Sequence, residues 1–267
     1  MDINLKNYSV VAHNILNSQT QYQSNKAIIS ALFNNKPINA FESIVKNRIT
    51  IIDSYYSTQM SKRLYGIDEL ANTLAKYPDD VLKTETIKFL NNPSEDCIIN
   101  SLFVKEYGVD KSGKPFGKAT SLISKYLYFL NSYKFPIYDS LAFISYSLLQ
   151  NNNTIVNKAK VNERNYFELI NQLNIESKIN NYEKLDNLLW LIGKLSKGSF
   201  AILMDMNKYL ELIDSKEIKT ELIKTGNKKS SAKDEIIRDY IKKHYKTSSL
   251  FSEEQKTFFE FVFSLQQ

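Results

Sequence analysis

The sequence contains few of the residues that define several common protein classes. Its single cysteine, Cys97, excludes an intramolecular disulfide and any metal or iron–sulfur centre built from several cysteines. The two histidines, His13 and His244, are too few for a histidine-based metal site, and no clustered acidic motif supplies further ligands. We therefore expect neither a metal nor a cofactor.

Long apolar runs are also absent. No stretch approaches the roughly 18 apolar residues of a membrane span, and no N-terminal segment joins a basic stretch to an apolar run. We therefore expect a cytoplasmic protein with no membrane partner. The formal net charge of +6 is compatible with a polyanion partner but too mild to prove one.

Glycine and proline are scarce, at seven and five residues in 267, and no segment alternates strictly between apolar and polar residues as a strand would. Apolar residues recur instead with helical spacing, which predicts an all-α fold. The predicted helices are Ala27–Phe33, Ile44–Met60, Ile67–Ala75, Asp80–Leu90, Ala119–Leu130, Ser140–Leu149, Asn165–Leu173, Tyr182–Leu195, Lys208–Ile213 and Ala232–Tyr245.

The most informative segment is 113–139, which combines a glycine-bounded turn, a helix and an aspartate. Gly113 and Gly117 are typical turn residues, and a helical run follows them. Lys118 and Lys125 are seven residues apart, which places them on one stripe of that helix, opposite its apolar arc. Both amines are therefore expected to face one groove.

Asp139 follows an extended FPIY stretch and precedes a new helix. An aspartate at a helix N-terminus meets free amide donors and a partial positive charge, which favour the ionised carboxylate. Such a carboxylate is suited to stabilising positive charge that develops during a reaction. An aspartate in this position also acts as an ordinary helix cap.

These features resemble a known family. A hairpin with glycines, a following helix with the nucleophile, and an aspartate after a proline resemble the helix-hairpin-helix DNA glycosylases. SKYLYFL with FPIYDS is similar to the bacterial branch with an 8-oxoguanine-glycosylase-like fold, as are IIDSYYSTQ at 51–59 and LDNLLWLIGK at 185–194. The resemblance implies two closely packed helical lobes, with an N-terminal segment 1–40, a glycosylase-like domain 41–200 with its hairpin at 111–118, and a C-terminal appendage 201–267.

The resemblance also implies chemistry. A DNA glycosylase takes a damaged or modified base out of double-stranded DNA and cleaves its N-glycosidic bond. Asp139 would stabilise charge on the sugar, and a lysine amine could form a Schiff base that permits strand cleavage. The lysine is Lys118 or Lys125, which lie 21 and 14 residues before Asp139, and the sequence does not choose between them.

DNA contacts are implied at two places. Backbone amides of the hairpin, around Gly113 and Gly117, would point at a phosphate while lysines add charge. In the YYSTQ segment, aromatic and amide side chains would wedge into the duplex or stack on an extruded base. The further residues in these two groups are Lys111, Lys114, Tyr55, Tyr56 and Gln59.

Two alternatives remain open at this stage. Arg238 and His244 fit an R-x5-H spacing on a helix and resemble the motif of HEPN-type ribonucleases, in which the arginine would hold a phosphate and the histidine would transfer protons. The second alternative is a glycosylase fold that binds DNA without catalysis. The hairpin keeps that alternative open because it departs from the family's G-x-G step, as does the uncertain position of the lysine.

Overall fold

The computed structural model describes residues 4–34, 41–93, 96–157, 159–225 and 230–266. Within these ranges the chain forms fourteen α-helices, and its β-structure is confined to isolated bridges. The all-α prediction is confirmed. The helices are α1 Leu5–Asn17, α2 Thr20–Asn34, α3 Phe41–Tyr56, α4 Gly66–Leu74, α5 Asp79–Asn91, α6 Ile98–Val104, α7 Thr120–Leu130, α8 Ser140–Asn151, α9 Tyr166–Glu176, α10 Tyr182–Ser196, α11 Met206–Ile213, α12 Lys216–Thr225, α13 Ser230–His244 and α14 Glu253–Ser264.

All ten predicted helices are present, with shifted ends. The prediction carried α3 to Met60, but the helix ends at Tyr56 and a short 3-10 turn follows at Met60–Lys62. Left-handed backbone at Ser57 and Gln59, with φ of 50° and 65°, ends the α-helix there. Four helices were not predicted, namely α1, α6, α12 and α14.

Helix α7 lies at the centre of the core. Every residue from Leu122 to Leu130 is buried, and α2, α3, α5 and α6 all pack against this helix. On the other side of the molecule, α10 packs against α1, α8 and α14. The segment that carries the predicted chemistry is therefore the most deeply enclosed helix of the fold.

The contact between α8 and α10 is unusually close. Gly193 of α10 lies against Leu141 of α8, and a Cβ atom built on this glycine would lie 2.7 Å from the Leu141 carbonyl oxygen. No other residue type fits there without moving one helix. Because Leu141 is two residues after Asp139, this contact also fixes the position of the predicted catalytic carboxylate relative to α10.

Arg48 of α3 joins four helices through one buried guanidinium group. Its Nη1 donates to both carboxylate oxygens of Asp79 at 3.0 Å and to the Tyr126 hydroxyl at 3.2 Å. Its Nε donates to the Leu32 carbonyl at 3.1 Å, and the group lies 4.5 Å from the centre of the Phe33 ring. These contacts fix α2, α3 and α5 around α7.

Replacing Arg48 with methionine keeps much of the side-chain volume but removes all four hydrogen bonds. We expect Arg48→Met to lower the free energy of unfolding by about 3 kcal/mol, as is typical when one partner of a buried ion pair is lost. Urea denaturation measures this loss. Lys46→Met is the matched control, since Lys46 pairs with Asp68 on the surface and its loss costs below about 1 kcal/mol. Equal losses in the two variants would contradict this role for Arg48.

A β-hairpin-like loop connects α6 to α7 and is longer than predicted. Its isolated bridges join Glu106 to Lys118 and Val109 to Pro115, so it spans 106–118 instead of 111–118. Leu64 pairs with Val109 through two backbone hydrogen bonds of 3.0 Å, which attach the hairpin to the loop before α4. The hairpin is therefore held by its own bridges and by the loop before α4.

A fully buried amide joins the N-terminal helices to α10. Asn187 of α10 accepts a hydrogen bond from the Tyr22 hydroxyl at 2.7 Å, and its amide nitrogen donates to His13 Nδ1 at 2.9 Å. Burial lowers the pKa of His13 below its usual 6.5, with Lys26 acting in the same direction and Glu183 opposing it. The fold therefore favours the neutral imidazole.

The lowered pKa of His13 predicts a loss of stability in mild acid. Below pH 6.5 the unfolded chain binds a proton at His13 more readily than the folded chain does. The free energy of unfolding therefore decreases as the pH is lowered, with a slope below about 1.4 kcal/mol per pH unit. Urea unfolding at pH 7.5 and 5.5 measures the fall. His13→Gln cannot titrate and should lose this component, and an unchanged pH dependence in that variant would refute it.

The predicted division of the chain at residues 40 and 200 stays a prediction. Residues 35–40 lie outside the described part, so the first boundary has no structural description. Helices from all three predicted segments contribute side chains to one continuous buried core. In particular, α1 packs on both α10 and α14.

Candidate functional site: a buried lysine beside Asp139

Lys125 is the most unusual residue of the core. Its side chain is 1% exposed on α7, which overturns the expectation that it lies on a polar stripe with Lys118. The amine donates to Ser121 Oγ at 2.7 Å, one helical turn earlier, and lies 3.5 Å from the Tyr138 carbonyl oxygen. It also lies 5.4 Å from the centre of the Tyr56 ring. The amine is thus turned back towards the N-terminus of α7.

Asp139 lies beside this amine, and its predicted place at a helix start is confirmed. It caps α8, where one carboxylate oxygen accepts a hydrogen bond of 2.7 Å from the Leu141 amide. Its other oxygen is 3.6 Å from Lys125 Nζ. The preceding residue is fixed as well, since the Tyr138 amide donates to Ser124 Oγ of α7 at 2.9 Å. The extended segment before Asp139 is therefore attached to α7, which places the Asp139 carboxylate beside Lys125.

Burial lowers the pKa of Lys125 from its usual 10.5, although the carboxylates of Asp139 and Asp186 act in the opposite direction. The cause is the loss of hydration, which disfavours the charged ammonium more than its anionic neighbours stabilise it. A lowered pKa increases the fraction of neutral amine near neutral pH. The neutral amine is the form that attacks electrophilic carbon.

Asp186 of α10 is a second acid of this site that sequence reasoning did not select. Burial, followed by the charge of Asp139, raises its pKa to about 7, while Lys125 and Lys26 oppose the shift. Its side chain lines a cavity of about 10 Å³, together with the segment that leads to Asp139. A single acid inside the apolar run LDNLLWL was the sequence signal available for it.

A second buried lysine lies on the far side of Asp186. Lys26 of α2 is 8% exposed, pairs with Glu183 of α10, and lies 4.2 Å from the centre of the Tyr133 ring. The charges of both residues act on the pKa of Asp186. The N-terminal helices therefore contribute part of the electrostatics of the site through Lys26.

Lys118, the other predicted nucleophile, lies in a different environment. It is exposed, precedes the first residue of α7 by two positions, and closes the hairpin through its bridge to Glu106. Its carbonyl oxygen accepts a hydrogen bond of 2.9 Å from Arg63. The structure thus brings Lys125, and not Lys118, into contact with Asp139.

The hairpin tip is occupied by its own hydrogen bonds. The Gly113 amide donates to the Asp110 carbonyl at 3.0 Å, and the Lys114 amide donates to the Asp110 carboxylate at 3.1 Å. These two amides are therefore engaged within the hairpin. The side chains of Lys111 and Lys114 are exposed, and Gly117 has a φ of 124° that favours glycine.

The three predicted residues of the YYSTQ segment face different surroundings. Tyr56 packs against Phe129 of α7 and lies near Lys125. Tyr55 is 40% exposed at the end of α3, and Gln59 is exposed with left-handed backbone. Tyr56 therefore belongs to the wall of the lysine site, whereas Tyr55 and Gln59 are open to a partner.

The residues of the ribonuclease alternative have separate partners. Arg238 pairs with Glu235 and Asp239 on its own helix at 3.2 Å. His244 lies 3.2 Å from Glu217 of α12, and its ring centre is 4.5 Å from that of Tyr240, at an interplanar angle of 39°. Within this chain the two residues are not brought together.

The described ranges offer neither a metal centre nor a membrane span. They contain no group of three or more histidine, cysteine, aspartate or glutamate side chains arranged to hold a metal ion. None of the helices in these ranges is both long and apolar enough to cross a bilayer.

Comparisons of the chain with known family models, curated proteins and solved structures give no match. The resemblance to DNA glycosylases therefore stays a prediction from the sequence.

The contact between Lys125 and Asp139 predicts the direction of a pKa change. Asp139→Asn removes the nearest negative charge, so the pKa of Lys125 should fall further below 10.5. The pH dependence of Lys125 methylation by formaldehyde and cyanoborohydride, followed by mass spectrometry, measures this pKa. Asp68→Asn, on the surface of α4, should leave the value unchanged. A rise in Asp139→Asn would contradict the assigned contact.

Proposed function

We propose that this protein is a DNA glycosylase with a helix-hairpin-helix-like arrangement, and that Lys125 gives it strand-cleaving lyase activity. One observation carries the proposal: a buried lysine with a lowered pKa lies 3.6 Å from a carboxylate held at a helix N-terminus. Its substrate is double-stranded DNA that carries a damaged or modified base.

The chemistry follows from the two side chains. The neutral amine of Lys125 attacks C1′ of the extruded nucleotide, and the electrons of the N-glycosidic bond leave with the base, which takes a proton. Asp139 stabilises the positive charge that develops on the sugar. Opening of the sugar ring then gives a Schiff base on Lys125, from which loss of a C2′ proton expels the 3′ phosphate and cleaves the strand.

Surroundings of the site support this assignment. Ser121 and the Tyr138 carbonyl hold the amine in one position, and Tyr56 covers it. The pKa of Asp186 is near 7, so this carboxyl can exchange protons at neutral pH. The hairpin precedes α7 directly, and its exposed lysines can contact the phosphates that flank an extruded nucleotide.

Borohydride trapping on a duplex with an abasic site tests the proposal without knowledge of the excised base. The aldehyde of the abasic sugar condenses with an amine, water leaves, and borohydride reduces the imine to a stable adduct. We expect wild type to be trapped and Lys125→Met to give no adduct. Lys118→Met is the matched control and should still form the adduct, because its amine is not the nucleophile.

Other patterns of trapping and base release would point to a different nucleophile or a different function. Trapping that is lost in Lys118→Met and kept in Lys125→Met would refute the assignment of the nucleophile. Base release without trapping, on a panel of damaged and modified bases, would indicate a glycosylase in which Asp139 activates water. DNA binding without either reaction would refute the proposed enzyme and favour a non-catalytic binding protein.

A further inference from the structure

Three large apolar side chains are exposed together where the hairpin meets the loop before α4. Tyr65 is 75% exposed, Leu64 48% and Phe116 43%. The backbone of Leu64 is paired with Val109 of the hairpin, which attaches the loop to the hairpin that carries Phe116. We call these three residues the Tyr65 surface. Each of them leaves more than two fifths of its area exposed.

Tyr65 is held in this exposed position by a strained backbone. Its φ of 62° lies in the left-handed region, which a large side chain rarely adopts. The next residue, Gly66, is approached closely by Gly108 of the hairpin, since a Cβ atom on Gly108 would lie 2.8 Å from the Gly66 Cα. A strained residue whose side chain adds little to the core is a candidate for a functional contact.

The Tyr65 surface lies at the end of α7 towards which the Lys125 amine is turned. Arg63 Nη1 donates to the Gly117 carbonyl at 2.7 Å, and Nη2 donates to the Lys118 carbonyl at 2.9 Å. Helix α7 begins two residues after Lys118, and the Lys125 amine bonds Ser121 in its first turn. One arginine thus ties this surface to the N-terminus of the helix that bears the nucleophile.

Phe116 is fixed by the same arginine, whose guanidinium lies 4.9 Å from the centre of its ring. Exposed lysines surround the surface, namely Lys62, Lys111, Lys114 and Lys118. Two of the neighbouring acids are engaged within the protein: Asp110 accepts from the hairpin tip, and Glu69 accepts from the Gly108 amide and pairs with Lys105. Exposed aromatic rings among free cations match the bases and phosphates of a nucleic acid.

We infer that the Tyr65 surface contacts the bases of duplex DNA at the point where a nucleotide is extruded, with the Tyr65 ring stacked on an exposed base. The inference rests on the proposed glycosylase function and names the residues that would hold the distorted duplex open. Tyr65 acts as a positioning residue: it fills or covers the gap in the stack, while Lys125 and Asp139 act on the extruded sugar.

Fluorescence anisotropy with two duplexes tests this inference. One duplex carries a tetrahydrofuran abasic analogue, which has no aldehyde and cannot form a Schiff base, and the other is intact. Tyr65→Asn removes the ring, and asparagine tolerates left-handed backbone, so the loop keeps its conformation. We expect this variant to bind the abasic duplex about tenfold or more weakly and the intact duplex within about twofold of wild type.

Two further variants complete the experiment. Tyr65→Trp keeps a stacking ring and should retain the preference for the abasic duplex. Phe41→Ala is the matched control, since Phe41 is 42% exposed at the opposite end of α3 and should not affect binding. A Tyr65→Asn variant that binds both duplexes like wild type, or that loses affinity for both equally, would overturn the inference. Wild type that does not prefer the abasic duplex, and is not trapped on a true abasic site, would refute the proposed function itself.

Discussion

The burial of one ammonium group determines much of the structure around it. A lysine that is 1% exposed in a wholly buried helix loses the hydration of its charge, which is unfavourable unless other groups replace the water. A hydroxyl, a backbone carbonyl and a carboxylate do so here, from Ser121, Tyr138 and Asp139. The helix cap, the extended stretch before it and its attachment to α7 are all required to bring these groups to Lys125.

The carboxylates near Lys125 have distinct environments. Asp139 caps α8, where the Leu141 amide donates a hydrogen bond to one of its oxygens. Burial, followed by the charge of Asp139, raises the pKa of Asp186 to about 7. The raised pKa of Asp186 comes from its position inside the fold, whereas Asp139 lies at the start of a helix. Lys26 of α2, which pairs with Glu183, also acts on the pKa of Asp186, so the N-terminal helices belong to the site electrostatically.

Sequence periodicity was sufficient for most helices and for the role of Asp139 as a cap, because both depend on local contacts. Periodicity did not predict α6, which has only seven residues, or α14, whose FFEFVF run is apolar at nearly every position and so lacks helical spacing. The position of Lys125 could not be predicted, since a helical wheel assumes a solvent face and α7 is enclosed by helices from four separate places in the chain. Asp186 was missed for the same reason, as only tertiary packing places α10 against the segment before Asp139.

The hairpin shows why a glycine pattern alone does not define a phosphate site. Gly113 lies in the predicted motif, yet its amide and that of Lys114 are engaged at Asp110. The first turn of a helix, in contrast, has amides without intrahelical partners, and the hairpin ends at the start of α7. Gly117 has open space around its Cβ position, so it is required for its φ of 124° and not for room. Its conformation directs the chain into α7, whose first turn holds the Lys125 amine through Ser121.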